Sequence, residues 1–346
     1  MSADKVRWTA RLDDNGPWAP FWLGLCIAIG YLLIRCAFDG LFLVTWGFPS
    51  GLTPVWLDAN WWTEIVNATL LGYIPAVLML ARRGIDRDLG QLRSALPNGV
   101  DFDKIRDAAL RPAGLIGKAF KLSGLVAGAA LVFVDPSLSL GSQRSLANPV
   151  FLWPLLQTPL FTWLIFTFIV SDINATRTYV HVGRNLVEVD LLDVQSLSPF
   201  AHRGLRSALT WVVFSMIFSL FWVGDSASQA NLLLFVTVLT MATAAFVAPL
   251  ISVHNNILAE KRSELSRLRD EIRIERTAVS TDLLSEKSNS PRLANLIAYH
   301  QLIDRSREWP IDAANVLRFF MYLMIGLGSW LGGAIVERLL DSTLGG

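Results

Sequence analysis

Residues 20–44 read PFWLGLCIAIGYLLIRCAFDGLFLV, an almost unbroken apolar stretch that is long enough to cross a bilayer, since about 20 residues suffice for a transmembrane helix. Charged residues make up only 17% of the 346-residue chain, against about 25% in soluble globular domains. Six more stretches of this kind follow. Together they predict an all-α integral membrane protein, a polytopic bundle of about seven transmembrane helices. The predicted spans lie near residues 20–44, 61–81, 122–140, 150–171, 207–223, 231–253 and 313–336.

Basic residues are divided unequally between the two sides of these spans. One side has nine in the connection 82–121 and ten in the segment 254–310, whereas the other has only Arg144 and Arg338. The positive-inside rule therefore predicts a cytoplasmic N-terminus and an external C-terminus, and we expect a bacterial inner membrane. The predicted plan is a cytoplasmic segment 1–19, a six-helix region 20–253 with cytoplasmic connections 82–121 and 172–206, a cytoplasmic segment 254–310, and a last transmembrane helix with a short external tail in 311–346.

The first two cytoplasmic connections have patterns of their own. Apolar residues from Ile85 to Leu96 recur at helical spacing, which predicts a short amphipathic helix lying along the membrane face. Polar and apolar residues alternate from Leu186 to Asp190, just after Gly183. That alternation is typical of a short strand pair, and a helix continuing from the fourth span is the alternative.

The third cytoplasmic segment carries a heptad pattern. Between Leu258 and Val279 apolar residues recur every seventh position, but the companion seam positions include Lys261 and two acidic residues. The seam of a coiled coil is therefore only half apolar. With Pro291 as a helix start, the pattern predicts a cytoplasmic amphipathic helical hairpin, whose two helices pack on each other within one subunit rather than as an intermolecular coiled coil.

Enzyme signatures are missing from the sequence. It has no HExxH, no GxSxG and no phosphate loop ending in Lys-Ser or Lys-Thr, the motifs that would mark a metalloprotease, a serine hydrolase or a nucleotide-binding protein. None of the four histidines has a second His or Cys at the spacing of metal ligands. We therefore expect a non-enzymatic protein with no metal, no cofactor and no nucleic-acid partner.

Ionisable residues inside the spans are the best candidates for a site. A charge at the bilayer centre costs about 2.5–3.5 kcal/mol on insertion scales, so each needs a partner or water. Arg35 and Asp39 are one helical turn apart in the first span. Topology places Glu64 and Asn67 of the second span, and Asp135 at the end of the third, at a similar depth in the outer half of the membrane.

Two interpretations of this cluster remain open from the sequence. Arg35 pairs with Asp39 or Glu64 as a structural lock between the first two spans, which is the simpler reading. Alternatively, the excess of acid over base lines a polar vestibule that binds or conducts a cation. The first interpretation gives the cluster a structural role, and the second makes it a cation site.

Small residues predict where helices approach closely. The third span contains Gly124 and Gly128, and the last contains Gly328, Gly332 and Gly333. Small residues four positions apart, including Ser329 with Gly333, let helix backbones pack together. This pattern predicts close helix–helix contacts at both spans.

The sequence thus favours a membrane scaffold or sensor subunit. Its largest cytoplasmic element is the helix pair in 254–310, which would engage a cytoplasmic protein partner or a second copy of the chain. The alternative is an ion channel or transporter-like pore with Arg35, Asp39 and Glu64 at its mouth. In both cases the lipid bilayer surrounds the spans.

Overall fold

The computed structural model describes residues 16–45, 61–97, 101–110, 114–134, 149–185, 189–222, 229–281, 291–326 and 328. Every regular element within these ranges is helical. We number the α-helices in chain order as α1 (Ala19–Thr45), α2 (Trp61–Leu92), α3 (Phe102–Leu110), α4 (Gly114–Val134), α5 (Pro149–Asn185), α6 (Ser198–Ser219), α7 (Gln229–Thr281), α8 (Pro291–Asp304) and α9 (Ala313–Gly326).

Five stretches of the described helices are long and apolar enough to cross a membrane. They lie in α1, α2, the α3–α4 region, α5 and α7, so the chain is an all-α, multi-pass membrane protein. The other two predicted spans coincide with α6 and α9. α6 carries Arg203 and Arg206 among its first nine residues, and the described part of the apolar helix α9 is Ala313–Gly326.

The predicted amphipathic helix near residue 85 is the end of α2 and does not lie along the membrane face. Ile85, Leu89 and Leu92 have exposed fractions of 3%, 0% and 0%. The apolar stripe continues the buried face of α2, so other helices cover it rather than lipid headgroups. A separate helix, α3, begins after Asp101, whose carboxylate accepts a hydrogen bond from the backbone N–H of Lys104 at 3.2 Å. This bond lowers the pKa of Asp101.

Of the two alternatives for the residues after the fourth span, the continuing helix is the observed one. α5 runs without interruption to Asn185, while residues 186–188 lie outside the described part. Near its end, a Cβ at Gly183 would lie 2.6 Å from the side chain of Val253 and 2.8 Å from Ser252 Oγ. The missing side chain therefore lets α5 pack directly on α7.

The helices pack in pairs around one core. α1 lies along α2, α4 along α5 and α6 along α7, while α5–α7 and α2–α6 contacts join the pairs. α1 and α4 flank this core and expose large apolar side chains such as Leu33 and Leu115, as expected of lipid-facing surfaces. The core itself is built mainly from α2, α5, α6 and α7, and its most deeply buried side chains include Leu70, Ile74, Tyr179, Phe200, Leu250 and Ile257.

α7 extends well beyond the bundle. Its 53 residues measure about 80 Å at 1.5 Å per residue, more than twice the thickness of the hydrocarbon core of a bilayer. α8 packs against the projecting half of α7, where Leu265, Leu268 and Ile303 are buried. We call α8 and the projecting half of α7, residues 254–281, the arm.

Candidate functional site

Three charged residues predicted to lie together do meet in the structure. The Nε of Arg35 donates to Glu64 Oε1 at 3.1 Å, and its Nη1 donates to Asp39 on the same helix. The hydroxyl of Tyr31, one turn earlier, donates to the second oxygen of Glu64. We call these four residues the Arg35 cluster. It joins α1 to α2.

An aromatic side chain from a third helix covers the cluster. The guanidinium carbon of Arg35 lies 4.9 Å from the ring centre of Trp153 on α5, within the range of a cation–π contact. The rings of Tyr31 and Phe38 lie 5.6 Å and 5.2 Å from the same indole. Trp153 is itself buried, so the arginine has aromatic carbon on one side and carboxylates on the other.

Two glycines bring the backbones of α1 and α2 together. A Cβ at Gly24 would lie 2.9 Å from the carbonyl oxygen of Gly72, and a Cβ at Gly72 would overlap the carbonyl oxygen of Gly24. Close crossing at this point lets the side chains of Arg35 and Glu64 reach each other further along. The glycine contact was missed from the sequence because neither residue belongs to a Gly-xxx-Gly pair.

The remaining predicted positions do not join the cluster. Asn67 is buried on α2, with an exposed fraction of 9%, but the hydrogen bonds of the cluster do not include it. Asp135 lies outside the described residues, as do Gly332 and Gly333. A Cβ at Gly328 would meet no described atom within 4 Å, so no close contact is seen there.

The glycines of the third span do lie at a helix contact. A Cβ at Gly124 would lie 3.1 Å from the carbonyl oxygen of Thr162, and one at Gly128 would lie 2.6 Å from the Cα of Pro159. The hydroxyl of Thr162 also donates to the carbonyl oxygen of Gly124 at 2.7 Å. α4 and α5 therefore pack at backbone distance along this edge.

The Arg35 cluster is held together by opposite charges with little access to water. The side chains of Arg35 and Glu64 are each 16% exposed, and that of Asp39 is 2% exposed. With both carboxylates ionised the three charges sum to −1, and each carboxylate accepts at least one hydrogen bond. Removing one member of such a buried pair is costly because it leaves the other charge uncompensated. The arrangement fixes α1 on α2.

A second buried polar network was missed by sequence reasoning. Asp172 on α5 accepts hydrogen bonds from three side chains of α6. The Nη2 of Arg203 donates at 2.8 Å, the hydroxyl of Ser207 lies 2.7 Å and 2.8 Å from the two carboxylate oxygens, and the indole N–H of Trp211 donates at 2.9 Å. The Arg203 and Asp172 side chains are only 5% and 13% exposed. We call these four residues the Asp172 network.

A neighbouring ion pair ties α6 to α2 as well. The guanidinium of Arg206 donates to Asp88 at 2.5 Å, and the Asp88 side chain is 3% exposed. The arginine crosses α2 at Gly84, where a Cβ would overlap its guanidinium group. α6 is thus held by ionic bonds to both α2 and α5.

The sequence does contain a signal for the Asp172 network. Arg203, Ser207 and Trp211 are spaced by four residues, so they share one face of a helix. That polar face needs an acceptor on a neighbouring helix, and Asp172 directly follows the predicted fourth span. By hydropathy alone, Arg203 is simply a basic residue of the predicted cytoplasmic connection 172–206.

The arm is closed by a buried lysine. Lys261 on α7 donates to the carbonyl oxygens of Asp304 at 2.8 Å and Ser306 at 3.2 Å, and to the Glu308 carboxylate at 3.1 Å. Its exposed fraction is 7%. The residue that interrupts the predicted heptad seam therefore holds the chain after α8 onto α7.

A stacked pair fixes the same segment where it nears the bundle. The imidazole of His254 lies 3.8 Å from the ring centre of Trp309, with 10° between the ring planes. Its Nδ1 is 2.7 Å from the carbonyl oxygen of Glu308. With Lys261, these contacts leave little freedom between the end of α8 and the start of α9.

Neither a protein-family model, nor a curated protein, nor a solved structure matches this chain. Within the described ranges, no group of three or more His, Cys, Asp or Glu side chains is placed to hold a metal ion. The function is therefore argued from the geometry of the Arg35 cluster, the Asp172 network and the arm.

Proposed function

We propose that this protein is a non-enzymatic membrane scaffold or sensor subunit that presents its arm to a protein partner or to a second copy of the chain. The observation that carries this proposal is the continuity of α7. One uninterrupted helix, Gln229–Thr281, belongs to the bundle core at one end and to the arm at the other.

Both halves of α7 are held in place by buried side chains. In the bundle, Ala242, Phe246 and Leu250 have exposed fractions of 0%, 5% and 1%, and in the arm Ile257 and Leu265 have 0% and 8%. A helix buried at both ends moves as a rigid rod, so a shift within the bundle is transmitted to the arm. This property suits a scaffold or sensor.

The arm also carries apolar side chains that nothing in the described chain covers. Ile274 on α7 is 70% exposed, and Leu302 and Ile297 on α8 are 55% and 42% exposed. Burying one such side chain contributes about 1.5–3 kcal/mol. These residues supply association energy to whatever docks on the arm.

We further propose the complete topology of seven spans in a bacterial inner membrane, with the N-terminus and the arm in the cytoplasm and the arm folded as a hairpin. One contact supports α6 as a full span. The indole N–H of Trp62 at the start of α2 donates to the carbonyl oxygen of Leu220, just past α6, at 3.0 Å. α6 thus reaches the end of the bundle where α2 begins.

The proposal is tested by adding a charge to the exposed apolar positions. Ile274→Glu and Leu302→Glu are compared with Gln301→Glu, an exposed neighbour that receives the same charge. Oligomeric state is measured by light scattering of the purified protein. Partners are captured by cross-linking in membranes and identified by mass spectrometry.

We expect the two apolar variants to weaken a specific association by roughly 10–100-fold, the equivalent of the burial energy above, and Gln301→Glu to leave it unchanged. A complex that loses mass in light scattering indicates self-association, whereas a lost cross-link to another protein indicates a partner. Unchanged mass and unchanged cross-links in Ile274→Glu and Leu302→Glu would refute the scaffold proposal.

A pore is the second candidate, and the excess of acid in the Arg35 cluster is the observation that favours it. If the cluster is the mouth of a cation pathway, Glu64→Gln removes that excess and lowers cation flux through the reconstituted protein. Vesicles with the protein that show no flux above protein-free vesicles, for any monovalent or divalent cation tested, would exclude this role.

A further inference from the structure

A cavity of about 320 Å³ lies beside the start of α6 and the start of α9. The segment before α6 and the segment between α8 and α9 complete its wall. Polar and apolar groups share the lining, and its polar side chains include Gln195, Ser198, His202, Arg307, Asn315 and Arg318. None of these residues belongs to the Arg35 cluster or the Asp172 network.

The lining carries a net positive charge. Arg307 is paired with Asp312 at 2.8 Å, so those two charges compensate each other. Arg318 donates only a long hydrogen bond, 3.4 Å, to the amide oxygen of Asn315, and it forms no ion pair with any described residue. Among its arginine and aspartate side chains, the cavity therefore holds one uncompensated positive charge, that of Arg318.

The cavity lies where the protein surface changes from polar to apolar. On α9, the side chains of Leu317, Phe320 and Met321 are 61%, 54% and 52% exposed, and large apolar groups that face outward on a membrane helix face lipid. On the other side, Arg307 and Asp312 form an exposed rim, with 64% and 56% of their side chains accessible. With α9 as a span in the topology proposed above, this boundary lies at the level of lipid headgroups.

We propose that this cavity binds the phosphate group of an anionic lipid headgroup. A phosphodiester carries one negative charge, which matches the single charge of Arg318, and its free oxygens accept hydrogen bonds. The hydroxyl of Ser198 and the amides of Gln195 and Asn315 are further donors. Asn315 is buried, with an exposed fraction of 6%, so its amide is held in place in the wall before a ligand arrives.

A phosphate at this site has two sources, a lipid or a soluble phosphate. The apolar face of α9 next to the cavity favours the lipid, because the acyl chains then lie along Leu317 and Phe320 while the headgroup enters from the rim. Basic pockets between transmembrane helices at the cytoplasmic face are a known mode of anionic lipid recognition. The choice between sources is made by experiment.

The test follows the thermal stability of the purified full-length protein in detergent during titration with ligand. The probes are dihexanoyl phosphatidylglycerol, dihexanoyl phosphatidylcholine and inorganic phosphate. Arg318→Gln removes the uncompensated charge. Arg87→Gln is the matched control, since Arg87 is an exposed arginine on α2 that does not line the cavity.

We expect phosphatidylglycerol to stabilise the protein, since a ligand that binds the folded state raises its stability. Arg318→Gln weakens this binding by about tenfold or more, the loss expected of a hydrogen bond to a charged group, and Arg87→Gln changes it less than about twofold on the same scale. Equal, Arg318-dependent binding of inorganic phosphate identifies a soluble phosphate as the source. The phosphate site is refuted if neither phosphatidylglycerol nor inorganic phosphate binds in an Arg318-dependent manner.

A second variant covers the case in which Arg318→Gln does not fold. Gln195 is exposed at the cavity, so Gln195→Glu adds a negative charge without touching the helix packing. It weakens binding of the anionic lipid and leaves weak binding of phosphatidylcholine unchanged. Undiminished affinity of a folded Gln195→Glu protein for phosphatidylglycerol contradicts the proposal.

Discussion

The Asp172 network allows the sharpest test of how this bundle is held together. Asp172→Asn keeps the size of the side chain but removes its charge and one of its two acceptor oxygens. Arg203, whose side chain is 5% exposed, would remain buried with no counter-charge within its hydrogen-bond reach. In either orientation of the new amide, its N–H would also face a group that can only donate, either the guanidinium of Arg203 or the indole of Trp211.

The expected loss is large. Breaking a buried ion pair by removing one partner costs about 3–5 kcal/mol. The pair of Arg203 and Asp172 is a buried pair rather than a surface pair. Both side chains are largely shielded from solvent. We therefore expect Asp172→Asn to lower the free energy of unfolding by about 3–5 kcal/mol. The assay is an SDS titration of the purified protein in mild detergent, followed by circular dichroism.

A double-mutant cycle separates the ion pair from mere loss of packing. Arg203→Met alone leaves Asp172 without its counter-charge, and combining Asp172→Asn with Arg203→Met removes both charges. The double variant should be destabilised by less than the sum of the single variants, by about 2 kcal/mol or more, because the orphaned charge is then absent.

An exposed ion pair supplies the control. Arg106 and Asp86 are paired at 3.1 Å, but their side chains are 44% and 33% exposed, so Asp86→Asn should cost no more than about 1 kcal/mol. If Asp172→Asn costs no more than Asp86→Asn, or if the cycle is additive, the Asp172 network does not stabilise the bundle in the manner argued.

Two further outcomes follow from close contacts. Gly72→Val should destabilise the protein by about 1–3 kcal/mol, because its side chain overlaps the carbonyl oxygen of Gly24. Gly30→Val, at a position where a Cβ meets nothing within 4 Å, should have little effect in the same SDS titration. Lys261→Met should raise hydrogen–deuterium exchange in residues 304–308 by about tenfold or more, because the carbonyls there lose a charged donor. Unaltered exchange in that segment would show that the lysine does not hold it.

Hydropathy and charge asymmetry suffice to predict an all-α membrane protein, because lipid imposes the length and polarity of each span. They predict the ends of the helices poorly. α2 continues past Arg82 and Arg83 to Leu92, since the end of α2 is buried by other helices rather than by lipid. The apolar pattern of a segment does not say whether lipid or another helix will cover it.

The same distinction applies to the Arg35 cluster. The pairing of Arg35 with Asp39 depends on one turn of helix, and the approach of Glu64 on depth in the membrane, and both are readable from the sequence. Trp153, which covers the cluster, comes from α5 and is more than a hundred residues after Arg35 in the chain. Its position depends on the packing of three helices, which hydropathy does not determine.

Lys261 shows how a pattern is misjudged when polar partners are unknown. In a heptad seam it reads as a defect. In the structure it is buried because the chain after α8 turns its carbonyl oxygens toward it. The acceptors are backbone atoms, so the pattern of side chains in the sequence does not predict them.

The bond between Arg35 and Glu64 has a consequence for biogenesis. On the insertion scale a lone charge inside the bilayer opposes membrane entry by up to about 2.5–3.5 kcal/mol. Arg35 already has Asp39 on its own helix, whereas Glu64 has its charged partner only when α1 lies beside α2. Release of α2 into lipid away from α1 would leave the charge of Glu64 without its partner. The ribosome and the insertion machinery are therefore expected to deliver α1 and α2 together, as one two-helix unit already paired through its charges.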